Sequence, residues 1–420
     1  MRGSLRDIDH YKNIVNQLLY CFIAHSVKKI MDRLRSACTK IAQKAFFCVM
    51  ERRLPLRFIQ GKRLVKRSWY KKLELSHKTT RKITVGFGPI ISGEHDLHIR
   101  KWRIDSIVNG INEISEKYCA GVFFNAGEMH KFDLIVVVRE VDRLSNTTLH
   151  GLKKHGKILI YDIVDRPYYS EDMQGNRKTL EVIKEADGLI ASSPLHLEDL
   201  AGLGTKMVLI EHPIINTRHK DYAKRNNDAI KILWQGFPEH LPRMGILQPM
   251  VKRLTKELKK KIILIYHTKM LPKSKGYVRY KTWTAHNWET MLVHSDIGVE
   301  IKPLHDVHTQ RKPSTKIVSY MAAGLPVVCT PSVADRLVIE HGITGYFAYT
   351  DEEWYTYLKA LVENPELRQK VGQAGREYVS RHFNIPKITQ KYLDFFDALI
   401  TEAKEHTERK MQAVSKMDQQ

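Results

Sequence analysis

Beyond about residue 81 the apolar residues fall into two alternating kinds of run. Short blocks rich in Val and Ile occupy Lys82–Phe87, Phe132–Val138, Lys157–Asp162, Gly188–Ala191 and Lys206–Ile210. Blocks of this length, apolar without alternation, read as strands covered on both faces. Trp102–Ser115, Lys178–Ala186 and Pro194–Leu203 stand between them and read as helices. A second series follows: strands Ile230–Trp234, Ile262–Ile265, Asp296–Ile301, Val327–Cys329 and Tyr346–Ala348, with helices Leu247–Lys259, Trp288–His294, Glu352–Val362 and Pro365–His382. Strands alternating with helices predict an α/β protein with parallel sheets. The predicted order is an extension over 1–80, a first domain over 81–212, a polar linker over 213–228 and a second domain over 229–385. A helix over 386–403 is expected to pack back on the first domain, and a polar tail over 404–420 to fray.

Arg311 to Pro326 is the most informative passage. Pro313 suits the first helical position, where a missing N–H costs nothing. Ile317, Tyr320 and Met321 share one face, Gly324 suits a left-handed stop, and Pro326 prevents continuation. Arg311, Lys312, Ser314, Thr315 and Lys316 crowd the start, where free N–H groups and the positive end of the dipole converge. The pattern fits a phosphate site, and it equally fits a surface helix with ordinary basic residues.

The chain of 420 residues has a formal net charge of +23. Residues 1–80 hold 19 Lys/Arg against 5 Asp/Glu, which leaves only +9 for the rest. Nucleic-acid binding is therefore a poor reading: the charge sits in one extension and no nucleic-acid module accompanies it. Within the extension Val27, Ile30, Leu34, Cys38, Ile41 and Ala45 recur at helical spacing, with basic residues on most other faces. Such a helix either lies on an anionic membrane or packs its apolar stripe on protein. Its most apolar run, Ile14 to Val27, is too short and too interrupted to span a bilayer. The five cysteines are scattered without a CxxC pair, so neither a zinc site nor a disulfide framework is indicated, and a reducing cytosol is expected.

Between Trp288 and Phe383 the chain resembles the GT-B glycosyltransferases, specifically the family 4-like group. The resemblance is carried by Asp296-Ile297-Gly298, Pro303-Leu304-His305-Asp306, Lys312 with Lys316, Tyr320 to Val328, Gly342 with Gly345-Tyr346, and Gly372 with Gly375-Arg376. Weaker matches are Tyr161-Asp162, Ala186 to Ile190, Glu211-His212-Pro213 and Trp234-Gln235-Gly236, so that it spans about 82–400 and leaves out the extension. It implies two Rossmann-like domains facing across a cleft. It also implies transfer of a sugar from a nucleotide-sugar, usually with retention and without a metal. The donor is a substrate, and no separate cofactor is implied. The acceptor would be a glycan, a lipid-linked precursor or a small molecule, met in the cytoplasm at the inner membrane face if the extension touches lipid. Many members carry two glutamates eight positions apart, where this chain has Arg311 and Ser319. A non-catalytic sugar- or nucleotide-binding relative is the rival reading.

On this basis Arg311, Lys312 and Lys316 are expected to meet the leaving diphosphate, because preorganised positive charge stabilises it. Ser314, Thr315, Ser319, Gly88 in the first glycine-rich turn, and Trp283 beside a nucleobase complete the expected donor site. His95 is the candidate for proton transfer. Arg103, Asp162 and Asp165 are the expected acceptor contacts, with helix capping as the rival role for the aspartates.

Overall fold

The apolar blocks assemble into two six-stranded parallel sheets, each covered by helices. The computed structural model describes residues 81–90, 99–139, 141–142, 144–164, 173–215, 218–222, 229–269, 274, 276–284 and 286–417. Lys82–Gln420 forms one compact unit. The basic extension lies outside the described residues, as do His95 and Asp165.

The first sheet contains β1 (Ile83–Gly88), β2 (Tyr118–Val122), β3 (Leu134–Val138), β4 (Ile158–Asp162), β5 (Gly188–Ala191) and β6 (Lys206–Leu209), in the order β2-β1-β3-β4-β5-β6. All five residues of β3 are buried, as a strand sandwiched between helices requires. The helices are α1 (Ser106–Ile114), α2 (Asn146–Lys154), α3 (Met173–Glu185) and α4 (Pro194–Leu200). The expected single helix Trp102–Ser115 is instead a π-helical turn, Arg100–Asp105, running into α1. Strand β2 has no counterpart in the sequence reading. Its Ala and Gly are weak strand formers, and it is held by register with β1, Ile83 opposite Tyr118.

The second sheet contains β7 (Ile230–Gln235), β8 (Ile262–Thr268), β9 (Val278–Thr282), β10 (Ile297–Ile301), β11 (Val327–Thr330) and β12 (Tyr346–Phe347), in the order β12-β11-β10-β7-β8-β9. Its helices are α5 (Leu247–Leu258), α6 (Trp288–Val293), α7 (Val307–Gln310), α8 (Thr315–Ala322), α9 (Asp351–Glu363) and α10 (Pro365–His382). Strand β9 also went unread: it is an edge strand of sequence Val-Arg-Tyr-Lys-Thr, mostly turned to solvent. The chain leaves β7 towards β8 on one side and returns through β10 on the other. That reversal is a topological switch point, and ligands of open α/β sheets bind at the carboxyl edge beside it.

The last helix, α11 (Ile385–Met417), packs on the first sheet: Ile388, Tyr392 and Phe396 are fully buried in the same cluster as Phe87 and Tyr118. Gly188 in β5 makes room for it, since a Cβ there would stand 2.7 Å from Leu399. The tail expected to fray after Ala403 instead continues this helix as far as Met417.

Candidate functional site

The switch point opens into a cleft floored by the ends of β7 and β10 and the first turn of α8. Helix α8 begins at Thr315 rather than Pro313, with Ser314 as the residue before it. Ile317, Tyr320 and Met321 are fully buried beneath, and Gly324 takes φ +79° to end the helix. The apolar face thus fixes the axis, and the polar first turn is left at the cleft.

Lys312, Thr315, Lys316 and Ser319 line this cleft. Lys316 Nζ donates to Glu300 Oε1 at 2.6 Å and stands 5.4 Å from the centre of the Trp234 ring. Desolvation pulls the Lys316 ammonium below its ordinary value, and the Glu300 carboxylate opposes this. Glu300, near the end of β10, is 4% exposed and also accepts from Trp234 Nε1 at 3.1 Å. Lys312 Nζ lies 3.5 Å from His240 Nε2, and among the described residues it pairs with no carboxylate. Burial, then the charges of Lys312 and Lys316, lower His240 to about 4, so that it is neutral at pH 7.

Two further cations are tied to the scaffold. Lys302 is 3% exposed and donates to Asp335 at 2.9 Å and to Ser332 Oγ at 3.1 Å, while Ser332 Oγ donates to the Lys312 carbonyl at 3.4 Å. This chain of contacts braces the loop ahead of α8. Arg243 donates to Asp306 and Thr309.

Aromatic side chains form the opposite wall. Trp102 of the first domain and Trp288 of the second meet with ring centroids 5.9 Å apart. Trp283 also faces the cleft, with Lys269 Nζ 5.9 Å from its ring. Beneath them His267 is buried: its Nε2 lies 3.1 Å from the Thr282 carbonyl, and its Nδ1 lies 2.9 Å from Gln235 Nε2. The network assigns the proton to Nε2, because Gln235 can only donate through its amide nitrogen. Burial lowers His267 to about 4. A cationic floor and an aromatic wall suit a molecule that joins phosphates to a flat ring.

The structure brings together Lys312, Thr315, Lys316, Ser319 and Trp283 at this cleft, whereas Ser314, expected with them, faces the other side of α8. Four further expectations need correction. Arg311 turns away from this cleft and grips Asp199 of α4 with both Nε and Nη2, at 2.5 and 2.7 Å. Its fork is therefore committed to the first domain. Arg103 and Asp162, expected at the acceptor, are fully buried and pair with each other at 2.7 and 2.9 Å. Arg103 also donates to the carbonyls of Ile210 and Glu211, and Tyr392 donates to Asp162, so neither side chain reaches a ligand. Gly88 lies in β1, where a Cβ would meet the Phe123 carbonyl at 2.4 Å, so its missing side chain serves packing. Glu300, His240, Lys302 and Trp102 escaped the sequence reading. Glu300 alone carried a signal, as the one charged residue in an apolar strand.

Residues 250–394 match the family model described as glycosyl transferase-like. No curated protein matches the chain. Among solved structures, HepE of Anabaena in complex with UDP and glucose superposes with a TM-score of 0.52 at 13% identity, over 75% of this chain and 99% of that one. Sucrose-phosphate synthase of Thermosynechococcus elongatus gives 0.53 at 13% identity, over 77% and 100%. A putative UDP-N-acetylglucosamine 2-epimerase of Listeria monocytogenes gives 0.50 at 12%, over 76% and 97%. Two facing parallel sheets, a cleft at the switch point and these superpositions give the chain the GT-B fold, and its segment 250–394 is similar to the glycosyl transferase-like family.

Proposed function

We propose that the protein transfers a sugar from a nucleotide-sugar donor, holding the diphosphate at the first turn of α8. The observation that carries this reading is the convergence of Lys312, Lys316 and the start of α8 opposite the Trp283 wall. In the donor complex Lys316 exchanges Glu300 for a phosphate oxygen, or shares itself between them, and Lys312 adds a second positive charge. Their lysines, rather than an ion, offset the charge that develops on the leaving diphosphate. The base rests against Trp283, and the sugar extends towards the first domain, where the acceptor binds. The reaction retains configuration, and the acceptor is a glycan or lipid-linked precursor brought to an anionic membrane surface by residues 1–80. Among the described residues no helix is long and apolar enough to cross a membrane.

Solved HepE complexes contain UDP, glucose and UDP-glucose, which makes UDP-sugars the first donors to test. Titration with UDP followed by calorimetry, together with release of UDP from UDP-sugars, tests the reading. Binding that weakens in Lys316→Ala supports it, and failure of every nucleoside diphosphate to bind removes it. The engagement of Arg311 with Asp199 and of Lys316 with Glu300 favours a second reading, a binding protein without turnover. That reading predicts UDP affinity with no sugar transfer or hydrolysis from any donor.

A further inference from the structure

A second cavity lies on the other face of α8, at the hinge between the domains. It shares only Pro313 and Thr315 with the nucleotide cleft. Its walls come from both domains and from the start of α11, which returns to the first: His212, Ser314, Val338, Phe383 and Lys391. Its volume is about 160 Å³, whereas one water needs roughly 10–15 Å³.

Two buried polar side chains lining it make no hydrogen bond within the described protein. His212 is 6% exposed and neither ring nitrogen has a partner; Ser314 is 7% exposed and its Oγ has none. A buried polar group left unpaired costs about 1–3 kcal/mol. His212 is held neutral by burial and by the nearby Arg103 guanidinium. A neutral imidazole offers one donor and one acceptor, and a serine hydroxyl offers both. At the rim Lys391 and Glu211 pair at 2.6 Å and present a donor and an acceptor again. Lys387 adds a second ammonium to the lining, so the charged groups are two lysines and one carboxylate, whereas the buried pair His212 and Ser314 offers only neutral donors and acceptors. Val318, Val338 and Phe383 supply apolar walls for C–H faces.

We propose that this hinge cavity binds a neutral, hydroxyl-rich molecule of monosaccharide size through His212 and Ser314, at a site distinct from the nucleotide cleft. Because its walls belong to both domains, an occupant sets their closure, and through Ser314 it touches the turn that starts α8. The site stands whether or not the nucleotide reading holds.

Saturation-transfer NMR on the full chain, with glucose, galactose, mannose and N-acetylglucosamine as probes, tests this with UDP present and absent. At least one sugar should bind. His212→Phe, which removes both ring nitrogens and fills the cavity, should weaken it about tenfold while UDP affinity stays within about twofold. Leu337→Trp, at a lining position that is 55% exposed, narrows the mouth without disturbing the core and should do the same if His212→Phe fails to fold. Absence of sugar binding to a folded protein overturns the proposal. So does binding that survives both cavity variants, or that disappears in Lys316→Ala instead, since that places the sugar in the nucleotide cleft. Failure of UDP to bind bears on the proposed transfer alone, because the sugar signal is read separately.

Discussion

Glu300 and Lys316 show how one charged pair can keep a site ready. The carboxylate balances the ammonium at 2.6 Å, and the lysine is about a third exposed, which leaves it able to turn to a phosphate. Lys316→Ala should raise the UDP dissociation constant about tenfold and lower turnover by roughly 10²-fold, measured by calorimetry and coupled release of UDP. Lys302 and Asp335 form a different kind of pair, buried beneath the cleft at 3% and 0% exposure. Asp335→Asn leaves a buried ammonium partly uncompensated, and unfolding in urea should show a loss of about 3 kcal/mol. The histidines at the cleft give a pH signature. His240 and His267 are both lowered to about 4 from an ordinary 6.5, burial being the main cause. The unfolded chain therefore binds protons first as pH falls. Stability from the neutral imidazoles is complete above about 6.5 and is lost progressively towards 4. Thermal melts across that window should fall steadily with decreasing pH, and Asn or Gln at either position should flatten the slope.

At the scale of elements, α8 is positioned by close packing as much as by its apolar face. Helix α10 approaches its end so closely that a Cβ on Gly372 would stand 2.2 Å from the Gly324 carbonyl and 2.3 Å from the Tyr222 hydroxyl. Gly372→Ala should cost about 2 kcal/mol by forcing backbone apart, whereas Gly245→Ala, with nothing within 4 Å, should be near neutral in the same melt. The local signals for α8 were plain in the sequence: the buried triad Ile317, Tyr320 and Met321, and the left-handed Gly324. The strands β2 and β9 carried no such signal. Both lie at sheet edges, where one neighbouring strand suffices and the side chains need not be apolar, so composition says little about them.

At the scale of the molecule the two domains are joined by more than the covalent crossings. Arg311 of the second and Asp199 of the first form a two-point contact, each about a fifth exposed. A pair of this exposure contributes about 1 kcal/mol or less and weakens with salt. A double-mutant cycle of Arg311→Ala and Asp199→Ala should return that coupling at low ionic strength and lose most of it at high salt. Small-angle scattering should show a larger radius of gyration in either single variant. Helix α11 provides the larger tie, burying Ile388, Tyr392 and Phe396 on the first sheet after the chain has finished the second.

Periodicity, turn residues and end signals are properties of neighbours along the chain, and they determined the α/β class, the alternation of strands with helices, and the helix α8 with Lys312 just before it and Lys316 in its first turn. Partners are not such properties. Arg103 meets Asp162 across 59 residues and Arg311 meets Asp199 across 112, and no local pattern distinguishes a cation held by a carboxylate from one left for a ligand. Only the tertiary structure could decide that Arg103, Asp162 and Arg311 serve the scaffold, that Glu300 faces Lys316, and that His212 and Ser314 line one cavity, because each depends on which distant surfaces packing brings together.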